Sequence, residues 1–203
     1  MSKANTVIVL DFETTGLSPD YGDRAIEIGA VRIVNGKITD RFQQLMNPGR
    51  PIDSFIENYT GITNGMLKNA SPCKDVMHSF ADFIDGYNLV AHNASFDKRF
   101  LDAELSKISR NYTGQFACSM LMARRLYQDA PNHKLGTLVK YAKIRSEGVF
   151  HRALYDSEMT AKLWLVMLAD ISERSRVASI PFKLTQKLTK TPKKAVSQFL
   201  ESC

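Results

Sequence analysis

The sequence has few cysteines and no apolar stretch long enough to span a bilayer. Its three cysteines, Cys73, Cys118 and Cys203, lack the paired spacing of a zinc site, and an odd number cannot all pair within one chain. We therefore expect the three cysteines to be reduced and to have structural roles. The longest apolar run, LWLVMLA, has seven residues, and a run of only four precedes the first aspartate. These features argue against a transmembrane helix and a secretory signal, so we expect no membrane partner and a cytoplasmic location.

Low-complexity segments and internal repeats are also lacking, and the 203 residues have the 44% hydrophobic content of an ordinary globular protein. Positive charge is spread unevenly. Residues 1–173 carry 20 basic and 20 acidic side chains, whereas residues 174–203 carry seven basic residues and only Glu201. We therefore predict a neutral domain over 1–173 and a basic C-terminal tail over 174–203. The tail either attracts phosphate groups or is a solvated terminus.

The hydrophobic pattern predicts an α/β protein. Three β-rich runs open the chain, with a two-residue NG turn between the last two: TVIVLDFE, AIEIGAVRIV and KITDRFQQLM. Helices and strands then alternate as SPCKDVMHSFADFIDG, NLVAH, NASFDKRFLDAELSKI and QFACS, followed by shorter helices and a last helix from about 151 to 173. Ser71 is the predicted cap of the first helix and Pro72 its first residue. This order indicates a central mixed sheet flanked by helices, antiparallel in its first three strands and parallel in the later ones.

Four acidic residues stand at the ends of these elements. Asp11 and Glu13 are two apart at the end of the first strand, so both carboxylates point to one side of the sheet. Asp97 falls in the first turn of the helix after NLVAH, and Asp156 in the first turns of the last helix. The alternatives are a turn cap for Asp11, a solvent-facing Glu13 and helix-dipole roles for the other two. Carboxylates from three elements would suit Mg²⁺ or Mn²⁺ rather than zinc.

The segment HRALYD adds a histidine to these acids. His151 precedes Asp156 by five residues, so the two side chains share no helix face unless the histidine lies at or before the first turn. That geometry suits a histidine on a mobile lip and an aspartate held on a rigid wall. The alternative is a solvent-facing residue at the start of the helix. We expect His92 to be a core or supporting residue.

Five segments, in order, resemble the motifs of the DnaQ-like (DEDDh) 3′ to 5′ exonucleases, the proofreading type with a histidine five residues before the last aspartate. They are DFETTGL, AIEIGAV, YTGIT, VAHNASFD and HRALYD, and the resemblance runs from about residue 6 to residue 173. The resemblance implies an RNase H-like fold and two divalent ions, Mg²⁺ or Mn²⁺, in one site. It implies metal ligation by Asp11, Glu13, Asp97 and Asp156, with Asp11 shared between the ions, and a general-base role for His151.

The resemblance also implies a set of substrate-binding residues. The turn after Glu13 would contact the 3′ terminal nucleotide, with Leu17 as an apolar wedge, although Gly16 equally fits a plain turn. Thr60 occupies a position that is histidine in many family members, which leaves open the hydrogen bond made there. Asn93 would orient the Asp97 loop or cap the helix. The implied set is Phe12, Thr14, Thr15, Gly16, Leu17, Thr60, Asn93 and Ile62, with Ile62 packing against a base.

We therefore predict a 3′ to 5′ exonuclease that releases nucleoside 5′-monophosphates from single-stranded ends. DNA is favoured as substrate by the likeness to proofreading subunits. An exoribonuclease and a nonenzymatic nucleic-acid-binding module are the alternatives. The tail segment VASIPF weakly resembles peptides that hold the sliding clamp, with Val177 where glutamine is expected. A polymerase or sliding-clamp partner bound through the tail is therefore a further hypothesis.

Overall fold

A six-stranded mixed sheet forms the centre of the protein. The computed structural model describes residues 2–148 and 150–203. The strands lie in the order β4-β3-β2-β1-β5-β6. Their bounds are β1 (Val7–Thr14), β2 (Ala25–Val34), β3 (Lys37–Asn47), β4 (Ser71–Pro72), β5 (Asn88–Ala91) and β6 (Phe116–Cys118). The pairs β1–β2 and β2–β3 are antiparallel, whereas β1–β5, β5–β6 and β3–β4 are parallel. The predicted mixed sheet is confirmed.

Nine helices in the described part of the chain surround or extend this sheet. Their bounds are α1 (Ser54–Thr60), α2 (Asn64–Lys68), α3 (Cys73–Ile84), α4 (Ser95–Ser106), α5 (Ser119–Leu126), α6 (Leu135–Tyr141), α7 (Ala153–Ser175), α8 (Phe182–Lys190) and α9 (Val196–Glu201). Short 3₁₀ turns occupy Pro19–Tyr21 and Lys193–Ala195. Among these residues, no helix has both the length and the apolar character needed to cross a membrane.

Two helix boundaries differ from those predicted. Ser71 and Pro72 do not open α3, because their backbone pairs with Met46 and Asn47 of β3 as the short strand β4. The helix begins one residue later, at Cys73. The last helix begins at Ala153 rather than at His151, because His151 has a left-handed backbone with φ of 71°.

Strand β1 is buried on both faces, and its alternate residues supply two separate cores. Ile8, Leu10 and Phe12 pack with helices α3 and α4. Val7 and Val9 pack on the opposite face, in a cluster that includes residues of α5 to α9. Because side chains alternate along a strand, Asp11 and Glu13 continue the α7-facing row beyond Val9. The acidic residues therefore lie at the end of the row on which α7 packs.

The C-terminal residues pack on this second core. Phe182, Leu188, Val196 and Leu200 are buried there, and the ring centroid of Phe182 lies 6.4 Å from that of Trp164. Two backbone hydrogen bonds join this region to the N-terminus, from Ala4 N to Ile180 O (2.8 Å) and from Phe182 N to Ser2 O (2.9 Å). Residues 182–201 are thus mostly helical and attached to the body. A functional boundary between residues 173 and 174 stays a prediction.

Candidate active site

Three carboxylates meet at the end of β1. Oxygen atoms of Asp11, Glu13 and Asp156 all lie within 4.8 Å of one another. Asp11 and Glu13 come from β1, and Asp156 comes from the first turn of α7. Glu13 and Asp156 are buried, whereas Asp11 is partly exposed. Oxygen ligands at this spacing are the donor set that Mg²⁺ and Mn²⁺ prefer, so the residues fit a divalent cation.

The fourth predicted acid, Asp97, lies against the same strand end. Its Oδ1 accepts a hydrogen bond from the backbone N–H of Phe12 (3.1 Å), and its side chain is only 2% exposed. The bond joins the first turn of α4 to β1 between Asp11 and Glu13. The structure therefore brings all four predicted acids to one place. The carboxylate oxygens of three of them lie close to one another, and Asp97 lies beside these three.

These four carboxyl groups disfavour each other's ionisation. Burial and the neighbouring charges of Asp97 and Glu13 raise the pKa of Asp11 well above its ordinary value. Burial, then the charge of Asp156, raises the pKa of Glu13 to about 8. Burial raises the pKa of Asp97 to about 7, and burial also raises the pKa of Asp156. Ionising these buried, neighbouring carboxyl groups is energetically unfavourable, so the cluster indicates a site that a bound cation would stabilise.

His151 lies just before α7, as its spacing from Asp156 requires. One carboxylate oxygen of Asp156 accepts hydrogen bonds from the backbone N–H groups of His151 (2.7 Å) and Arg152 (3.1 Å). The exposed imidazole packs on the Tyr59 ring, with 4.1 Å between ring centroids. Asp156 therefore fixes the backbone of the histidine while it faces the other acids.

Glu27 and Gly29 are supporting residues that the sequence analysis missed. Glu27 is fully buried opposite Glu13 on β2, and Arg152 contacts both of its oxygens, at 2.9 and 3.3 Å. The same carboxylate accepts from the N–H of Ala153 (3.0 Å), the first residue of α7. Gly29 allows the start of α7 to pack closely on β2, because a Cβ at this position would lie 2.1 Å from the Ala153 carbonyl carbon. Both residues lie in AIEIGAV, one of the five segments that resemble the family motifs, but the sequence analysis predicted no role for either.

The cleft above the acids is edged by exposed apolar side chains. Leu17 is 79% exposed, Phe55 is 70% exposed and Tyr59 is 51% exposed. Phe55 and Tyr59 are stacked with ring centroids 5.9 Å apart. All three line the cleft that contains the four acids and His151. The sequence analysis singled out Leu17 but missed Phe55 and Tyr59, which are adjacent along the surface of the unpredicted helix α1.

Several of the predicted substrate-binding residues line the same cleft. These are Phe12, Thr14, Gly16, Leu17, Thr60 and Asn93. The ring of Phe12 is buried against Phe80, so its backbone is the part that serves the site. Asn93 has a left-handed backbone with φ of 70°, and its carbonyl oxygen accepts from Phe96 N (2.9 Å).

Two predicted positions, Ile62 and Thr15, do not line this cleft, and Thr60 lines it but also makes internal hydrogen bonds. Ile62 is fully buried with Ile26, Ile52 and Leu67, so the expectation that it packs against a base does not agree with the structure. Thr60 donates to the carbonyl of Ile56 (2.8 Å) and accepts from the N–H of Ile62 (3.1 Å).

The Thr15 hydroxyl donates to Asp23 and accepts from the N–H of Arg24 and from the Arg50 guanidinium. His92, the predicted supporting residue, bonds Ser119 and the carbonyl of His133 through its two ring nitrogens. Burial lowers the pKa of His92 to about 4.

The chain matches known exonucleases over this region. A family model described as an exonuclease, of the RNase T type, matches residues 8–164. The PolC-type DNA polymerase III of Caldanaerobacter subterraneus subsp. tengcongensis is 40% identical over 166 residues, which is 82% of this chain and 12% of that protein. The Bacillus subtilis protein of the same name is 42% identical over 171 residues, again 12% of its length. The chain thus spans about an eighth of the length of these relatives.

Solved structures agree with this result. Exonuclease X in complex with 5′ overhanging duplex DNA is 29% identical with a TM-score of 0.69, and the match covers 90% of this chain and 99% of that one. The nuclease domain of 3′hExo, a DEDDh family member bound to rAMP, is 22% identical with a TM-score of 0.70 and shares the fold, over 82% of this chain and 92% of that one.

The fold and the acidic cleft define a nuclease of the RNase H-like class, as predicted. The chain belongs to the exonuclease family, in its DnaQ-like (DEDDh) branch of metal-dependent 3′ to 5′ exonucleases.

Proposed function

We propose that this chain removes nucleotides from the 3′ ends of single-stranded DNA and releases nucleoside 5′-monophosphates. The observation that carries the proposal is the convergence of Asp11, Glu13 and Asp156, whose oxygens lie within 4.8 Å of one another. Asp97 completes the set, and each of the four has a raised pKa that a cation would relieve. We assign these four residues as ligands of two Mg²⁺ or Mn²⁺ ions, with Asp11 shared. When bound, two such ions stabilise the attacking and leaving oxygens of an in-line displacement at phosphorus.

His151 is the proposed general base. Its left-handed backbone and its N–H bond to Asp156 hold it outside the helix, next to the acids. There it can take the proton of the attacking water, because a neutral imidazole accepts protons near working pH. Tyr59 packs on the imidazole and limits the orientations available to it. The histidine is thus held at its backbone by Asp156 and at its ring by Tyr59.

Exposed apolar residues would hold the terminal nucleotides. Leu17 on one edge of the cleft and the stacked pair Phe55 and Tyr59 on another offer faces on which bases can stack. Stacking on aromatic side chains contributes about 1–3 kcal/mol per base and tolerates any sequence. A strand must be unpaired to present its bases this way, which supports single-stranded ends as substrate.

DNA is favoured over RNA by the identities of the relatives. Exonuclease X in complex with DNA and the two PolC-type DNA polymerases III named above are 29 to 42% identical to this chain. The matches named for rAMP or histone mRNA are 21 to 22% identical. An exoribonuclease remains the second candidate, because those RNA-related structures have TM-scores as high as 0.70.

A polymerase partner is part of the proposal, since the PolC-type relatives carry this region within a DNA polymerase III. A sliding clamp bound through VASIPF is less favoured, because Ile180 is 7% exposed and Phe182 is fully buried, so both would have to leave the core. We also propose a cytoplasmic location, where the free thiols of Cys73, Cys118 and Cys203 stay reduced.

End-labelled single-stranded DNA and RNA of one sequence, incubated with Mg²⁺ or Mn²⁺, test the proposal. The parent should shorten DNA from its 3′ end, and Asp11→Ala and His151→Ala should lose nearly all activity while remaining folded by circular dichroism. Faster cleavage of RNA would transfer the assignment to the exoribonuclease. A parent that cuts neither strand would support a binding module instead.

A further inference from the structure

The basic residues of the C-terminal region form an ordered surface. Lys183, Lys187 and Lys190 lie on α8 at helical spacing, so they share one side of the helix. All three are exposed, as are Lys193 and Lys194 in the following 3₁₀ turn. We call Lys183, Lys187 and Lys190 the lysine stripe. The opposite side of α8 is buried through Phe182, Thr185 and Leu188.

Helix α8 is fixed next to strand β6. Gln186 donates from Nε2 to the carbonyl of Phe116 (2.9 Å), and Arg125 donates from Nε to the carbonyl of Thr191 (2.6 Å) just after the helix. These bonds, with the buried face, hold the lysine stripe at the edge of the sheet. The stripe is therefore a positioned feature of the surface and not part of a free tail.

A second cleft lies across the first turn of α4 from the acidic cleft and reaches the lysine stripe at Lys190. It runs between α4 and α8 and is lined by Ser95, Lys98, Leu121, Gln186 and Lys190 among others. The first turn of α4 separates this cleft from the acidic one. Phe96 and Asp97 face the acids, whereas Ser95 and Lys98 face the cleft that leads to Lys190.

The charge of this surface is not neutralised by the protein. Among the ion pairs formed by residues 2–148 and 150–203, none includes a lysine of α8 or of the following turn. Lys98 differs, because it is paired with Asp102. Favourable placement near the C-terminal end of α8 would explain Lys187 and Lys190, but not Lys183, which lies in the first turn.

We propose that the lysine stripe and the α4–α8 cleft bind the sugar-phosphate backbone of the substrate strand on the 5′ side of the nucleotides in the active site. This rests on the proposed function. The acidic site repels a polyanion until cations are bound, so a neighbouring positive surface would hold the strand there. The position of this cleft, one turn of α4 away from the acidic cleft, favours the substrate strand over an acidic protein or a lipid surface. The stripe lies outside residues 8–164, so it is additional to the matched family region.

The test compares Lys187→Gln/Lys190→Gln with the control Lys37→Gln/Lys74→Gln, which removes the same charge from exposed sites near other strands. Binding of a fluorescent DNA strand of about 12 nucleotides is measured in EDTA, without catalysis, across a range of salt concentrations. The stripe variant should bind roughly ten- to thirty-fold more weakly at about 0.1 M salt, and its slope of log K against log salt should be smaller by about 1.4. The control should match the parent.

Cleavage of a trinucleotide separates this proposal from the proposed function. If the parent cuts the trinucleotide and the two variants bind the long strand equally well, the stripe proposal is wrong and the exonuclease assignment stands. A parent that binds the long strand through the stripe but cuts nothing would overturn only the exonuclease assignment. A stripe that served an acidic protein or anionic lipid would leave the binding of DNA and its salt slope unchanged, and so would overturn the proposal. Thermal unfolding of both variants should match the parent, because the substituted side chains are exposed.

Discussion

Glu27 and Arg152 form an ion pair that joins β2 to the start of α7, at 2.9 Å between Oε1 and the nearer guanidinium nitrogen. Glu27 is fully buried, whereas the Arg152 side chain is 37% exposed. Arg152 directly follows His151, and Glu27 lies opposite Glu13 in the sheet. The pair therefore connects the proposed base to the proposed metal ligands without belonging to either group.

Removing the arginine should be costly. Arg152→Ala leaves the Glu27 carboxylate buried beside Glu13 with no cation, so we expect a loss of about 3–5 kcal/mol in the free energy of unfolding. The measurement is urea denaturation in EDTA. Arg41→Ala is the control, since Arg41 pairs with Glu158 on the surface and should contribute no more than about 1 kcal/mol. Equal losses of unfolding free energy in the two variants would show that the buried ion pair stabilises the protein no more than the surface pair does.

Glu27→Gln should be milder for stability but should still affect catalysis. The amide can keep a hydrogen bond to the Ala153 N–H, and the freed guanidinium can reach solvent. We expect kcat to fall while the KM for DNA stays near the parent value, because Glu27 acts on the orientation of His151 and not on the strand. A rise in KM with unchanged kcat would exclude this positioning role.

The stability of the metal-free protein should fall as the pH rises. The pKa of Glu13 is raised from 4.5 to about 8 and that of Asp97 from 3.8 to about 7, both chiefly by burial. A raised pKa means that the folded state holds protons more tightly, so this contribution is complete below about pH 4 and lost as the pH passes 7 to 8. In EDTA we expect the free energy of unfolding to fall by a few kcal/mol between pH 5 and 8.

Metal should reverse that loss. Mn²⁺ added at pH 8 should raise the melting temperature far more than at pH 5, where protonated carboxyl groups bind cations poorly. Glu13→Gln removes one of the titrating groups and should flatten the pH dependence in EDTA. A metal-free protein that became more stable from pH 5 to 8 would contradict the raised pKa values.

Base stacking on Tyr59 can be tested separately from the metal site. Tyr59→Ala should raise the KM for single-stranded DNA by roughly 5- to 150-fold, the equivalent of about 1–3 kcal/mol, whereas Tyr59→Phe should keep most of the affinity. Tyr21→Ala is the control, because Tyr21 is 89% exposed on a neighbouring turn but does not line the cleft. An unchanged KM in Tyr59→Ala would remove this residue from the substrate path.

The convergence of the proposed site residues was predictable from the sequence, because their spacing reflects the elements that hold them. The two-residue interval of Asp11 and Glu13 places both on one side of β1, and the five-residue interval before Asp156 places His151 ahead of α7. The antiparallel pairing of the first three strands and the parallel direction of the later ones followed from the NG turn and from the alternation of strands and helices, whereas the strand order and the edge strand β4 were not predicted.

The contacts around those residues were not predictable in the same way. Ile62 is apolar and follows a turn, which suits a base contact or a core position equally well, and only packing against Ile26 decides between them. Tyr59 and Phe55 lie on α1, which is seven residues long and too short to give a clear periodic signal. The basic tail gave no sign that its apolar residues continue the core, because its charge dominates its composition.

Gly29 gives the most local test of how the sheet positions the site. It pairs with Asp11 across β1 and β2, and a Cβ at this position would lie 2.1 Å from both the Ala153 carbonyl carbon and the Leu154 nitrogen. Gly29→Ala must therefore push the start of α7 away from the sheet and move Asp156 and His151 away from Asp11. We expect a loss of about 1–3 kcal/mol in stability and at least a roughly hundred-fold loss of activity, since displacements of about 1 Å suffice for that.

The measurements are urea denaturation, titration with Mn²⁺ and the rate of DNA cleavage. Gly65→Ala is the matched control, because the nearest atom to its added Cβ is 3.7 Å away and the site is helical, so stability should be unchanged or higher. If Gly29→Ala retains parent Mn²⁺ affinity and cleavage rate, the close approach of α7 to β2 does not set the metal site. Asp11, Glu13 and Asp97 would then be positioned by β1 and α4, through the Asp97 bond to Phe12, independently of how closely α7 approaches β2.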